Sequence, residues 1–322
     1  MSNPIRTAES QATTAPPENS PLLTGLIAAT FTPMASDQSV DISAVPGVTD
    51  FVLGQGADGL FVCGSTGESP SLTLEERMAV TEAYIDATEK RAPVVVHVGH
   101  NCLRDARTLA AHAAASGADA IAVAPPSYFS PANVDVLVEC LQYIAEAAPA
   151  TPLYYYHIPR LTGVDVRAVD LLERADGALP SFAGVKFSDF QFDDLLRCVR
   201  HDGGRYNILF GSDEMCLAGM AMGADGAVGS TYNFLGPHFQ RMIAAFKRGD
   251  MQQARDHQAL ATDIIQRLLA FGGHNAIKAC MAVFGVDCGS PRLPLSPLSS
   301  QEFEGLRQSL RGAKGPDSGG KD

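Results

Sequence analysis

The chain has 322 residues, of which 46% are hydrophobic and 19% are charged, and its formal net charge is −12. The length suits one large domain, and the negative charge excludes nucleic acid as an expected partner, because the phosphate backbone would be repelled. No run approaches the ~18 apolar residues of a membrane span, so no membrane partner is expected. The seven cysteines contain no Cys-x-x-Cys pair, which predicts reduced thiols in a cytoplasmic protein.

Eight short apolar runs predict eight β-strands. They cover residues 25–30, 59–63, 93–98, 120–124, 152–156, 182–185, 207–210 and 226–228. Each run is nearly continuous in apolar residues, as expected of parallel strands buried on both faces, and a helical pattern follows each one. No dinucleotide-binding glycine fingerprint follows the first strand. Eight βα units in series therefore favour an α/β fold of the closed (β/α)8 TIM barrel type over a doubly wound sheet.

Two local signals mark helix boundaries in this series. Thr73 and Glu76 form a T-x-x-E capping box, which predicts a helix running towards Lys90. Gly-Ala-Asp repeats directly before strands two, four and eight, at residues 56–58, 117–119 and 223–225. These tripeptides are predicted to form helix C-caps and the turns that lead into the strands.

The composition also divides the chain into segments. Residues 1–20 and 312–322 lack periodicity and are predicted to be disordered tails. We assign the barrel to residues 21–235, and the last barrel helix with a C-terminal helical extension to residues 236–311. Within that extension, helical patterns cover about 251–269, 273–284 and 299–311.

A (β/α)8 barrel places its active site at the C-terminal ends of its strands, which narrows the search for catalytic residues. Lys186 directly follows the apolar run 182–185 at such a position. Burial of an ammonium group favours the neutral amine, which is the form that attacks a carbonyl. The alternative is a structural ion pair with a carboxylate such as Asp189. The other lysines lie at predicted helix ends, in the extension or in the tail: Lys90, Lys247, Lys278, Lys314 and Lys321.

Small polar turns follow strands two, seven and eight. Ser65 and Thr66, between Gly64 and Gly67, offer two hydroxyls and free N–H groups that can hold a carboxylate. A phosphate is the rival ligand, because barrels often bind phosphate after strands seven and eight. Asp213 and Glu214 would repel a phosphate there but accept hydrogen bonds from sugar hydroxyls. The alternative for this pair is N-capping of the next helix.

Tyr156 ends the fifth predicted strand and is a candidate proton shuttle. Side chains alternate along a strand, so Tyr154 shares the face of Tyr156, and Tyr155 packs outwards against helices. His97 and His100 have poor spacing for a metal site on one strand, and no metal is predicted.

These motifs together resemble the N-acetylneuraminate lyase and dihydrodipicolinate synthase superfamily of Schiff-base barrels. The resemblance extends from about Gly25 to Leu310. It rests on GLIAATFTP at 25–33, GSTGE at 64–68, YYYHIPRLTGV at 154–164, GVKFSD at 184–189 and GADGAVGSTYN at 223–233. It implies a class I aldolase that needs no cofactor, and a homotetramer.

The resemblance also implies roles for individual residues. Lys186 matches the Schiff-base lysine and Tyr156 the catalytic tyrosine, which Ser65 is expected to assist in proton transfer. Ser65 and Thr66 also match the pair that binds the carboxylate of a 2-oxo acid. Tyr128 resembles a tyrosine that members lend to the proton relay of a neighbouring subunit. The positions that match contacts to the sugar chain are Thr162, Ser188, Gly211, Asp213, Glu214 and Ser230.

The choice of substrate depends on the branch of the superfamily. Dihydrodipicolinate synthases typically carry an arginine where this chain has Leu161; Arg160 comes one residue early and is expected to point elsewhere. The lyase branch implies reversible cleavage of N-acetylneuraminate, a sialic acid, to pyruvate and N-acetylmannosamine. The alternatives are a synthase-like enzyme, an aldolase or dehydratase for another 2-oxo sugar acid such as 2-keto-3-deoxygluconate, and a non-enzymatic 2-oxo acid binding protein.

Overall fold

The strands of this protein form a closed barrel. A computed structural model gives the structure and describes residues 23–311, so the tails predicted at 1–20 and 312–322 lie outside the described residues. Eight parallel strands follow one another in chain order, and the last pairs with the first. The predicted (β/α)8 fold is confirmed. The strands are β1 Gly25–Ala29, β2 Gly59–Val62, β3 Val94–His97, β4 Ala120–Val123, β5 Leu153–His157, β6 Phe182–Phe187, β7 Asn207–Phe210 and β8 Gly226–Gly229.

Helices connect the strands and cover the outside of the barrel. Those within the described residues are α1 Val45–Gly54, α2 Leu74–Thr88, α3 Leu103–Ala115, α4 Val134–Ala145, α5 Pro159–Thr162, α6 Ala168–Ala175, α7 Phe192–Arg200, α8 Cys216–Ala221, α9 Tyr232–Lys247, α10 Met251–Ala270, α11 His274–Val283 and α12 Ser300–Ser309. The last three correspond to the helical patterns predicted for the C-terminal extension. The division assigned at residue 235 falls inside α9.

The strands are continuous in apolar residues because both of their faces are buried. Every residue of β2 to β8 is buried. Side chains that point into the barrel form one apolar cluster, and those that point outwards form a second cluster with the helices. Tyr154 and Tyr156 belong to the inner cluster and Tyr155 to the outer one, as the alternation predicts.

The three Gly-Ala-Asp tripeptides join neighbouring strands. In each, the glycine has a positive φ, between 86° and 100°, that residues with a side chain rarely adopt. The aspartate carboxylate then accepts the backbone N–H of a neighbouring strand. The pairs are Asp58 with Leu26, Asp119 with Val94 and Asp225 with Ile208, each at 2.8 Å. The predicted turn therefore also fixes the strand register.

The capping box of α2 is present as predicted. The Thr73 hydroxyl accepts the N–H of Glu76, and the Glu76 carboxylate accepts the N–H of Thr73. The helix ends at Thr88, two residues before the predicted Lys90, because Glu89 has a φ of 50°. The same Glu76 carboxylate also accepts two hydrogen bonds of 2.6 Å from the Arg292 guanidinium, which ties the chain after α11 to the barrel.

The structure also describes the cysteines and the apolar character of the helices. All seven cysteines are free, and five of them are buried. Among residues 23–311, none of the helices combines the length and the apolar character that a bilayer-spanning helix needs.

Candidate active site

A cavity of about 320 Å³ opens at the C-terminal ends of the strands. This is the end of the barrel where the fold places catalytic groups. Its lining brings together most of the predicted site residues: Ser65, Thr66, Tyr156, Lys186, Gly211, Asp213, Glu214 and Ser230.

Lys186 lies inside β6, one residue before the end of the strand, and its side chain is 4% exposed. Its Nζ atom sits 4.0 Å from the ring centroid of Phe61 and 3.9 Å from that of Tyr156. Within the described part of the chain, no carboxylate lies at salt-bridge distance from this amine. The structural pairing with Asp189 is wrong, since the Asp189 carboxylate lies 3.8 Å from His157 Nε2 instead. The amine is therefore free of an ion pair and faces the cavity.

Tyr156 and Ser65 form a polar contact in the cavity that Lys186 lines. The Tyr156 hydroxyl lies 3.4 Å from Ser65 Oγ, and the ring is 4% exposed. Tyr154 lies two residues earlier on the same face of β5 and is buried deeper in the barrel. Its hydroxyl donates a hydrogen bond of 2.8 Å to Asn207 Oδ1. Only Tyr156 therefore brings its hydroxyl to the mouth of the barrel.

A buried ion pair supports the turn that carries Ser65 and Thr66. Glu68 closes this turn with a left-handed φ of 56°. Its carboxylate accepts a 2.6 Å hydrogen bond from Lys278 Nζ of α11, and a 3.0 Å hydrogen bond from the Arg292 N–H. The Lys278 and Glu68 side chains are 0% and 1% exposed. Lys278, which the sequence suggested only as part of the extension, thus fastens that extension beneath the turn.

Asp213 and Glu214 form a 3-10 turn after β7. Asp213 Oδ2 accepts the Thr231 N–H at 2.8 Å and the Thr231 hydroxyl at 2.6 Å. Burial raises the pKa of Asp213 to about 6, and the hydrogen bonds from Thr231 oppose this shift. The N-capping alternative is wrong, because no side chain caps the helix that follows, α8.

Asp213→Asn is expected to change how stability depends on pH. Between pH ~4 and ~6 the folded protein keeps a proton on Asp213 that the unfolded chain, with its ordinary pKa of 3.8, has released. A rise in pH through this window therefore destabilises the wild-type protein relative to the variant, by about 1–3 kcal/mol. Urea unfolding of both proteins at pH 4 to 7 measures the difference. A difference that stays constant over this range would contradict the buried, proton-binding state.

Three predicted residues lie outside the Lys186 cavity. Thr162 lines an adjoining cavity of about 220 Å³, which shares Ser65 and Tyr156 with the first. The Ser188 hydroxyl is buried without a hydrogen-bond partner among residues 23–311, directly beside Gly211, where a Cβ would lie 1.9 Å from it. Tyr128 is 82% exposed on the loop between β4 and α4.

The structure also adds residues that the sequence did not suggest. Phe61 and His97 point inwards from β2 and β3 and pack against the Tyr156 ring. Helices α10 and α11 reach over the barrel mouth and contribute Ile265, Leu269, His274 and Ile277 to the cavity. The inward direction of the Phe61 and His97 side chains could have been predicted from the alternation of faces along β2 and β3. The helix residues carry no local signal, because their placement depends on tertiary packing.

The position of Arg160 differs from the predicted one. The sequence predicted that it points away from the site, but it lines the Lys186 cavity together with Leu161. The reason is local, since residues 159–162 form the single-turn helix α5, which carries both side chains to the rim. Arg160 is exposed and can meet an anionic or hydroxylated ligand.

One group of side chains in the described range has the composition of a metal site. Ligand atoms of His100, Cys102 and Asp105 lie within 4.8 Å of one another at the start of α3. His100 Nδ1 already accepts the Cys102 N–H at 3.0 Å and lies 3.5 Å from Asp105 Oδ2. None of the three residues lines the Lys186 cavity.

Comparisons with known proteins place this chain in a family. The model of the dihydrodipicolinate synthetase family matches residues 22–313. The chain is 42% identical to the N-acetylneuraminate lyase of Sus scrofa, over 90% of this chain and 92% of that protein, and 43% identical to N-acetylneuraminate lyase A of Xenopus laevis, over 88% and 93%. Among solved structures, it is similar to the N-acetylneuraminate lyase of Proteus mirabilis, with a TM-score of 0.88 and 36% identity over 91% of this chain and 99% of that one.

Proposed function

The chain belongs to the dihydrodipicolinate synthetase family, and we propose that it cleaves N-acetylneuraminate reversibly to pyruvate and N-acetylmannosamine. It is a carbon–carbon lyase of the class I aldolase type. The observation that carries the proposal is Lys186, whose unpaired amine lies 3.9 Å from the Tyr156 ring inside the cavity. Relatives that share about 40% of the sequence over nearly their whole length support the choice of substrate.

The first step joins the substrate to Lys186. The neutral amine attacks C2 of the open-chain sugar acid and a C–N bond forms. The carbonyl oxygen leaves as water, taking one proton from the amine and one from the Tyr156 hydroxyl, which becomes a phenolate. The resulting protonated imine withdraws electrons from C3. It supplies the electrophile of the reaction, so the proposed mechanism draws on no separate cofactor.

The second step breaks the C3–C4 bond. The Tyr156 phenolate, assisted by Ser65 at 3.4 Å, accepts the proton of the C4 hydroxyl. The C3–C4 electron pair moves towards the iminium nitrogen, and N-acetylmannosamine leaves as an aldehyde. The remaining enamine takes that proton from Tyr156 at C3. Water then hydrolyses the protonated imine, one proton returns to Tyr156, and pyruvate and the Lys186 amine are released.

Two groups of residues would bind the ends of the substrate. Ser65 and Thr66 line the cavity, where their hydroxyls would hold the carboxylate, and the buried ion pair of Glu68 supports their turn. The contacts proposed for the hydroxylated chain are Gly211, Asp213, Glu214 and Ser230, which line the same cavity, with Thr162 in the adjoining cavity and Ser188 beside Gly211.

Arg160 favours a second candidate. A guanidinium at the rim suits a substrate with an additional anionic group, as in the synthase branch, or a different 2-oxo sugar acid. Initial rates of pyruvate release from N-acetylneuraminate and from 2-keto-3-deoxygluconate separate the readings. We expect faster pyruvate release from N-acetylneuraminate. Faster release from 2-keto-3-deoxygluconate would instead indicate an aldolase for that 2-oxo sugar acid.

We also propose that the chain assembles into a homotetramer in the cytoplasm. Tyr128 and Phe129 are 82% and 84% exposed and contact each other edge-on at 5.0 Å. Asn101 Oδ1 holds their loop by accepting the Ser127 and Tyr128 N–H groups. An ordered, exposed aromatic pair suits contact with a second copy, where Tyr128 would complete a neighbouring proton relay. The free cysteines suit a reducing compartment.

The assembly proposal predicts a particle of about four times 34.0 kDa in sedimentation equilibrium. Tyr128→Ala is expected to shift the population towards smaller species at micromolar concentration and to lower kcat, because an aromatic anchor is lost. Tyr143→Ala, at a half-exposed tyrosine on α4, serves as the control and should change neither quantity. A fully active wild-type monomer would rule out a shared site.

A further inference from the structure

The Tyr156 ring is held by two other rings. Phe61 contacts it edge-on, with centroids 5.5 Å apart and an angle of 77°. His97 contacts it in the same manner, at 5.7 Å and 89°. Edge-to-face contacts constrain the angle of a ring as well as its distance. The direction of the Tyr156 hydroxyl is therefore set by side chains of β2 and β3.

His97 is itself fixed by hydrogen bonds at both ring nitrogens. Nε2 lies 3.3 Å from the Ala124 N–H, which donates to it, so the ring hydrogen belongs on Nδ1. Nδ1 lies 2.9 Å from the Cys63 carbonyl, which accepts that hydrogen. Cys63 directly precedes the turn that carries Ser65. His97 thus connects the ends of β2 and β4 and packs against Tyr156 from β5.

The surroundings keep His97 neutral and prevent its ring from turning. Burial and the nearby Arg77 guanidinium lower the pKa of His97 to about 3. Arg77, which is 2% exposed, donates to the His97 carbonyl at 2.6 Å and the Gly99 carbonyl at 3.0 Å. A Cβ at Gly99 would lie 2.8 Å from His97 Nε2, so only glycine fits beside the ring. These contacts leave one orientation for the imidazole.

We propose that His97 is a positioning residue, which acts through Tyr156 by holding the phenol at the angle needed to receive the C4 proton. The inference rests on the proposed aldolase function and extends it to a residue outside the proton relay. Two properties of histidine are used at once: the ring packs edge-on against Tyr156, and its two nitrogens fix that ring between Cys63 and Ala124.

Two substitutions separate these properties. His97→Asn keeps a donor for the Cys63 carbonyl but removes the ring, whereas His97→Phe keeps a ring and removes both hydrogen bonds. We expect His97→Asn to lower kcat by about 10–100-fold, part of the 10²–10⁴-fold contribution of general acid–base catalysis. Its KM should stay within about twofold, and borohydride trapping of pyruvate on Lys186 should be unchanged. His97→Phe should keep more of kcat but melt at a lower temperature, because two buried backbone groups lose their partners.

The order of the variants is the decisive readout. The kcat of His97→Phe should exceed that of His97→Asn, whereas the melting temperature of His97→Asn should exceed that of His97→Phe. A purely structural role would rank the two variants in the same order by both quantities, and that result would overturn the proposal. In a Tyr156→Phe background, His97→Asn should lower the residual rate no further, and a full additional loss would also overturn it.

Wild-type cleavage of N-acetylneuraminate in the same assay tests the proposed function separately. Should the wild type trap pyruvate without cleaving that substrate, the two comparisons are made on exchange of the pyruvate methyl protons in D2O, which needs the imine and a base but no sugar. The same results are expected there: exchange should be faster in His97→Phe than in His97→Asn, against the order of melting temperatures, and the two orders coinciding, or a full additional loss in the Tyr156→Phe background, would refute the positioning role.

Discussion

Substitution of Lys186 by methionine is expected to lower kcat for N-acetylneuraminate cleavage by at least ~10⁴-fold, as is typical when a covalent nucleophile is removed. Methionine fills a similar volume between the Phe61 and Tyr156 rings, so the barrel should stay folded. Without the amine no imine forms, and electrons from the C3–C4 bond have no acceptor. Steady-state release of pyruvate, with circular dichroism to verify folding, measures this loss.

Lys247→Met is the matched control for this substitution. Lys247 is the last residue of α9 and is exposed, so its replacement should leave kcat and KM within about twofold of the wild type, as is usual for surface changes. A Lys186→Met protein that kept more than about 1% of kcat would show that the reaction does not pass through an imine on this lysine.

Lys278→Met is expected to produce the largest loss of stability. The substitution leaves the Glu68 carboxylate, which is 1% exposed, without its cationic partner at 2.6 Å. Removal of one partner from a buried ion pair costs about 3–5 kcal/mol, because the remaining charge stays buried. The turn with Ser65 and Thr66 should also loosen, which raises KM. Urea unfolding gives the stability, and initial rates give KM.

A double variant separates the charge from the packing. Glu68→Leu combined with Lys278→Met removes both charges, and we expect it to be more stable than Lys278→Met alone. Lys247→Met again controls for the loss of a lysine. If the single and double variants unfolded at the same denaturant concentration as the wild type, the ion pair would not hold the extension on the barrel.

The strands could be predicted from the sequence because their physical cause is local. A parallel strand buried on both faces needs a continuous apolar run, and all eight runs match observed strands to within two residues. The same logic located Lys186, a charged residue at the end of such a run. The period of two along β5 correctly separated Tyr156 from Tyr155.

The parts that the sequence did not predict depend on contacts between distant segments. Lys278 and Glu68 are 210 residues apart, and neither has a local pattern that names the other. The predicted direction of the Arg160 side chain was wrong because a one-turn helix carries it to the rim of the cavity. A single helical turn is too short to show a periodic pattern in the sequence. Asp213 was offered as a helix cap, but the hydrogen bonds from Thr231 of the next βα unit hold its carboxylate.

The central claim is an imine on Lys186, and borohydride trapping tests it most directly. The protein is incubated with pyruvate, reduced with sodium borohydride and digested, and its peptides are analysed by mass spectrometry, with Lys186→Met as the control. The account predicts a reduced pyruvate adduct on Lys186 alone, which is absent from the control, together with pyruvate release from N-acetylneuraminate by the untreated protein. An unmodified Lys186, or an adduct on another lysine, would contradict it.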